Sequence, residues 1–151
     1  MTHLVMPSDA NVLGTAFGGR IMQWTDLAGG IAAMRHARVP VVTASIDQLS
    51  FLAPVRIGQV AVLHAQVNAS FGTSMEVGVE VLSEDPRTGD RRKCCDAFLT
   101  FVALGEDGRP APVRPLHPET EPEVRRAAEA KVRREARLAL REALRRGSPG
   151  T

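Results

Sequence analysis

The chain has 151 residues, 44% hydrophobic and 24% charged, with a formal net charge of +2. That length suits one domain around one core, and so small a charge, with no tyrosine and a single tryptophan, argues against a nucleic-acid-binding surface. No apolar run approaches the roughly 20 residues of a membrane span, and Met1-Thr2-His3 does not open a secretory signal, so the chain reads as cytoplasmic.

Thr2–Met6 is β-capable and stops at Pro7, and Ser8-Asp9-Ala10-Asn11 has turn and helix-starting residues. Residues 17–36 are expected to form one buried helix. Between Ile21 and Met34 only Gln23, Thr25 and Asp26 are polar, and a helix apolar on nearly all sides belongs in an interior. Gly29-Gly30 costs roughly 1 kcal/mol per glycine relative to alanine, which the close approach of another backbone would offset. Arg35 and His36 put cations at the helix C-terminus, and Pro40 stops it.

Strands follow. Val41–Leu52 is rich in β-branched residues, and Ala61–Ser70 alternates with period two, as does Met75–Val81. Asp85–Asp90 is a turn, and Cys94–Leu104 is the last strand. Connections this short favour antiparallel neighbours. Gly108–Pro118 is a proline-rich linker. Glu119–Arg146 is a helix former with acids at its start, arginines at its end and a thin apolar stripe of Val124, Ala128, Val132, Ala136 and Leu140. The expected division is residues 1–105 as the main domain, with 106–151 as linker and arginine-rich helix belonging to it.

The fold class is therefore α+β, a curved antiparallel sheet around one long buried helix. A sheet covers only one side of such a helix, and a second copy of the same helix is the economical cover for the other. A homodimer is expected.

Asp26 is the anomaly, a carboxylate among apolar neighbours with no Lys or Arg three or four residues away. Two readings stay open: an acid facing solvent or a backbone donor at the subunit edge, or a tuned base or nucleophile. Gly18-Gly19, at the head of the same helix, offers free N–H groups that can hold an oxyanion. Asp26 lies seven residues after Gly19, ~10 Å along the axis at 1.5 Å per residue. One substrate carbonyl cannot use both from one chain, whereas two antiparallel helices would bring Asp26 of one copy to Gly19 of the other. The adjacent Cys94 and Cys95 point to opposite faces of a strand, so no disulfide is expected between them. The scattered His3, His36, His64 and His117 offer no metal set.

Three ordered motifs carry a family resemblance: Met6 through Asp26, Val42–Asp47 with Phe51–Gly58, and Thr73–Val77. Together they resemble the hotdog-fold acyl-CoA thioesterases, closest to the cytosolic acyl-CoA hydrolase group, over about Met6 to Leu104. The resemblance implies hydrolysis of acyl-CoA to free acid and CoA, with dimers assembled as a hexamer. It also implies Asn11 and Asp26 as catalytic residues, Asp26 coming from the opposite subunit, and Gly18 and Gly19 as the helix head that receives the thioester carbonyl. Arg56, Gly72, Thr73 and Ser74 are positional candidates for binding the CoA portion. No cofactor or metal is implied, CoA being part of the substrate and its thiolate a good leaving group, and neither nucleic acid nor membrane is an expected partner. A hotdog dehydratase would want a histidine beside Asp26, and His36 is ten residues on. A non-catalytic acyl-CoA-binding regulator is the other alternative.

Overall fold

The structure, a computed structural model, describes residues 1–147. Among these residues, five strands and two long helices run in the order β1 (Thr2–Leu4), α1 (Gly18–Ala37), β2 (Val41–Phe51), β3 (Val60–Phe71), β4 (Ser74–Glu84), β5 (Arg91–Ala103) and α2 (Glu121–Gly147), with a short 3-10 turn at Pro7–Asp9. The strands form one antiparallel sheet in the order β1-β3-β4-β5-β2, which leaves one edge of β2 without a partner. The segment expected to be β-capable at the N-terminus joins the sheet as a fifth strand.

α1 lies across the inner face of the sheet. Its buried residues, Ile21, Trp24, Thr25, Ala28, Gly29 and Ala33, recur at three- to five-residue spacing and meet Leu63, Met75, Val77, Leu99 and Phe101 in one core. Trp24 stacks on His3 with ring centroids 4.7 Å apart. The glycines answer to an aromatic ring and not to a backbone. A Cβ on Gly29 would sit 3.0 Å from the Phe101 ring, and one on Gly30 would sit 3.6 Å from it. Burial is one-sided within the single chain: Met22, Leu27 and Met34 stand 40%, 52% and 45% exposed. The helix ends on Arg38 at φ 60, and His36 Nε2 lies 2.7 Å from the Arg114 carbonyl, which ties that end to the linker.

α2 lies on the outer face, with a different face inward from the one its apolar stripe suggests. Val124, Val132 and Leu140 are more than half exposed. The contact is made instead by Ala130 and by Arg133 and Arg137, one and two turns further along the helix, which reach acids on the strands. Arg133 binds Glu76 through two bonds, Nη2 to Oε1 at 2.7 Å and Nε to Oε2 at 3.0 Å, while its guanidinium sits 3.7 Å over the Phe98 ring. Glu76 is 2% exposed and also accepts from Asn68 Nδ2 at 3.0 Å. Asn68 is the extra residue of a bulge in β3, and its amide fills the space that Gly78 leaves by lacking a Cβ. The thin apolar stripe is not what docks the helix. Here the sheet's outer face presents buried carboxylates, and a buried acid needs a cation. At the helix start, Thr120 Oγ1 accepts from the Glu123 N–H while Glu123 accepts from the N–H groups of Glu119 and Thr120, a reciprocal cap.

The Phe101 contact makes a stability prediction. Gly29→Val forces a branched side chain against a ring that is 2% exposed, and should cost about 1–3 kcal/mol in urea unfolding. Gly30→Ala, with ordinary contact distance, should be neutral or stabilising by up to about 1 kcal/mol.

Candidate active site

Asp26 is half-buried on α1, at the border between the packed and the open faces. The donor that sequence spacing could not find comes from another element: Thr43 Oγ1 donates to Asp26 Oδ1 at 2.5 Å. That length is typical of a hydroxyl bonded to a carboxylate. One carboxylate oxygen is thereby fixed, and Oδ2 has no hydrogen-bond partner among the described residues. The alternation signal missed Thr43 because it reads a strand residue's face but not the helix residue opposite it.

The local reason Thr43 faces α1 is a bulge. β2 pairs Thr43 with Phe101 and then Ser45 with Thr100, so Ala44 has no opposite number. Phe101 packs on α1, whereas Thr100 binds Arg137 of α2. The extra residue therefore reverses the phase of the strand, with Thr43 on the inner face and Ser45 on the outer.

The loop before α1 is folded around Asn11. Its Oδ1 accepts from the Leu13 N–H (3.0 Å), the Thr15 N–H (3.3 Å) and Thr15 Oγ1 (3.2 Å). The side-chain amide Nδ2 is left as a donor without an acceptor among the described residues. Phe17 occupies the N-cap position and no side chain caps the helix, so the N–H groups of Gly18 and Gly19 are free to bind a ligand oxygen. Arg20 pairs with Asp9 at 3.1 Å and fixes the approach of this loop. Nothing lies within 4 Å of a Cβ on Gly19, whereas the Phe51 ring comes within 3.4 Å of one on Gly18. Beside this helix head is a cavity of about 390 Å³, lined among others by Gly18, Ile21, Phe51, Leu52, Val55 and Cys95. Phe51 thus lines a pocket, Trp24 is core, and Phe17 is half exposed.

The structure brings some of the expected site residues together and separates others. Asn11, Gly18, Gly19 and Arg56 gather at one end, because Thr15 and Arg56 form a bridge and the Ile57 N–H binds the Gly14 carbonyl. Gly72, Thr73 and Ser74 form the β3–β4 turn at the other end, where Gly72 has φ +66 and accepts from the Val113 N–H. Ser74 and Val42 flank Val102 on opposite sides in the sheet, so this turn lies toward the Asp26–Thr43 end. Within α1 the seven-residue step from Gly19 to Asp26 stays ~10 Å long, as helix geometry requires.

Cys94 and Cys95 are both free and buried. Burial first, then the charge of Asp96 and the neighbouring Cys94, pushes the Cys95 thiol up to about 11. It is therefore a neutral wall of the cavity and not a nucleophile. The described residues contain no group of three or more His, Cys, Asp or Glu placed to hold a metal ion, and no helix among them is long and apolar enough to cross a membrane.

A helix wrapped by a curved five-stranded antiparallel sheet, with an acid and a free helix head on its open side, is the hotdog arrangement. The comparisons agree. The sequence model of the thioesterase superfamily matches residues 13–89. An uncharacterized acyl-CoA thioester hydrolase of Bacillus subtilis is 41% identical over 150 residues, covering 95% of this chain and 87% of its own length. The solved structure of an apo hexameric acyl-CoA thioesterase is 42% identical with a TM-score of 0.88, over 92% of this chain and 89% of that one. The acyl-CoA hydrolase of Staphylococcus aureus, solved with butyryl coenzyme A, coenzyme A and coenzyme A disulfide, is 35% identical with a TM-score of 0.89, over 97% and 89%. The chain belongs to the thioesterase superfamily, among its acyl-CoA thioester hydrolases. It spans only 23% to 36% of the mouse, rat and human relatives it matches. The Staphylococcus hydrolase was also solved with an asparagine, an aspartate and a threonine singly replaced by alanine; there the aspartate lies 15 residues after the asparagine, and the threonine 17 after the aspartate.

The thiol environment can be checked directly. With the Cys95 thiol at about 11, only about one part in a thousand is thiolate at pH 8. Alkylation of Cys95 in the folded protein at that pH should be slow, and should become fast once denaturant is added.

Proposed function

We propose that this chain hydrolyses acyl-CoA thioesters to the free acid and CoA at sites built between two copies, with Asp26 supplied by one copy and Asn11, Gly18 and Gly19 by the other. The observation that carries this reading is the stripe on α1. Gly19, Met22 and Asp26 lie at i, i+3 and i+7, on the side of the helix that also exposes Leu27 and Met34. Two such stripes packed antiparallel and crossing near Met22 set Gly19 of one copy against Asp26 of the other and cover the exposed apolar side chains. Support also comes from spacing: Asn11, Asp26 and Thr43 are separated by 15 and 17 residues, as are the three residues replaced in the Staphylococcus hydrolase.

The chemistry follows from the groups at hand. The thioester carbonyl sits on the Gly18 and Gly19 N–H groups, where backbone dipoles already point at the oxygen that gains charge. Asp26 of the partner copy, held by Thr43 through Oδ1, takes a proton on Oδ2 from water as the water oxygen bonds to the carbonyl carbon. The Asn11 amide orients that water or the thioester. The tetrahedral intermediate then collapses, the C–S bond breaks, and CoA leaves as a thiolate that is reprotonated. A thiolate of ordinary pKa needs no further activation to leave. The acyl chain enters the cavity behind Phe51, and Arg56 with the Gly72–Ser74 turn of the partner copy contacts the CoA portion. Dimers assemble as a hexamer, as hexameric relatives suggest, and the two unpaired thiols fit a cytoplasmic site of action.

Asp26→Asn should lower kcat by roughly a hundredfold or more while the dimer persists. Asn11→Ala and Asp26→Ala chains are each expected to be inactive, but refolded together they should regain about a quarter of wild-type activity, since half the dimers are hybrids with one intact site each. A site contained in one chain predicts no recovery on mixing. Free-thiol release from acyl-CoA, absent in wild type, would refute the hydrolase reading itself.

A further inference from the structure

The arginine-rich helix has no part in the chemistry above, yet one of its residues grips the strand that carries Thr43. Arg137 Nη1 lies 2.5 Å from Asp47 Oδ2, 2.6 Å from Thr100 Oγ1 and 3.3 Å from Ser45 Oγ. The same three residues bond to one another: Thr100 Oγ1 to Asp47 Oδ2 and Ser45 Oγ to Asp47 Oδ1, both at 3.1 Å. The Asp47 side chain is 7% exposed. Asp47 falls at the second irregularity of β2, between Ile46 and Gln48, just as Ala44 falls at the first.

Two bulges within five residues are costly in a strand with only one ladder partner, and β2 has only β5. Loss of the Ala44 bulge alone would slip Thr43 by one residue and turn it off the inner face, because side chains alternate. Loss of both would slip it by two, back onto the inner face but opposite Ala103 instead of Phe101. The bulges bring Ser45 and Asp47 of β2 to Thr100 of β5 on the outer face, where a single guanidinium nitrogen bonds all three. A nearly buried carboxylate without that cation would be strongly destabilised.

We propose that Arg137 of α2 is a positioning residue for hydrolysis: by locking the double bulge of β2 from the outer face, it holds Thr43 on the inner face against Asp26. The helix thus acts on the reaction through the thickness of the sheet without touching substrate. This inference rests on the reading of Asp26 and Thr43 as parts of the active site. Arg133 supplies the internal comparison, since it anchors the same helix to Glu76 of β4 and makes its hydrogen bonds there and not to β2.

The experiment is a double-mutant cycle on the full-length protein, read as kcat and KM for acyl-CoA hydrolysis beside melting temperature and light scattering. Arg137→Gln should lower kcat roughly tenfold to a hundredfold with KM changed by less than about threefold, the pattern of a misplaced catalytic group. Arg137→Lys, which keeps the charge and puts three N–H donors on one nitrogen, should restore most of that loss. Arg133→Gln should lower the melting temperature at least as much but leave kcat within about twofold. In a Thr43→Val background Arg137→Gln should have no further effect on kcat, because the two act as one unit. Additive losses, or an equal loss of kcat in Arg133→Gln, would overturn the proposal. If Arg137→Gln does not fold, Ser45→Ala, which strips one contact from the cluster, goes through the same cycle under the same criterion. The underlying reading is tested apart: full activity in Asp26→Asn removes it, whereas an inactive Asp26→Asn with an additive cycle removes only the role of Arg137.

Discussion

The phase reversal at Ala44 is the constraint on which the site depends. A strand has two faces and a fixed alternation, so Thr43 and Ser45 would share a face if the ladder were regular. One unpaired residue lets the same short segment serve both sides of the sheet. Inward, Thr43 holds Asp26; outward, Ser45 and Asp47 meet Arg137. A bulge in β3, at Asn68, does the same kind of work under the other arginine, where an amide over Gly78 steadies the carboxylate of Glu76.

The two faces of the sheet are held by different forces. Inside, α1 meets the strands through small and apolar side chains, fitted closely enough that the Phe101 ring occupies the place of a side chain at Gly29. That contact gives stability without direction. Outside, α2 is fixed by arginine–carboxylate pairs whose geometry is directional and whose partners are buried. An apolar contact would let the helix slide along the sheet, whereas two charged anchors four residues apart set its register.

α1 also grounds the proposal of a second copy. The sheet covers Ile21, Trp24 and Ala28 but leaves Met22, Leu27 and Met34 in the open. Asp26 and the free N–H groups of Gly18 and Gly19 sit along that uncovered side, separated by the length of the helix between them. In the proposed site, packing and chemistry ask for the same thing, a second helix running the other way.

Much of this was legible in the residues. The apolar run from Ile21 to Met34, the alternations in β3 and β4 and the breaks at Pro40, Gly58 and Asp85–Asp90 placed the helix and the strands, because local periodicity is a property of the chain itself. The spacing of Gly19 and Asp26 followed from helical rise alone. What the sequence could not supply were partners distant along the chain. Thr43 as the donor to Asp26, the bulges at Ala44 and Asn68, the ring of Phe101 against Gly29, and Arg133 and Arg137 as the docking face of α2 in place of its apolar stripe all depend on which residues the sheet sets opposite one another. Register across strands is a long-range choice, made by packing of the whole core, and a single unpaired residue is enough to reverse it.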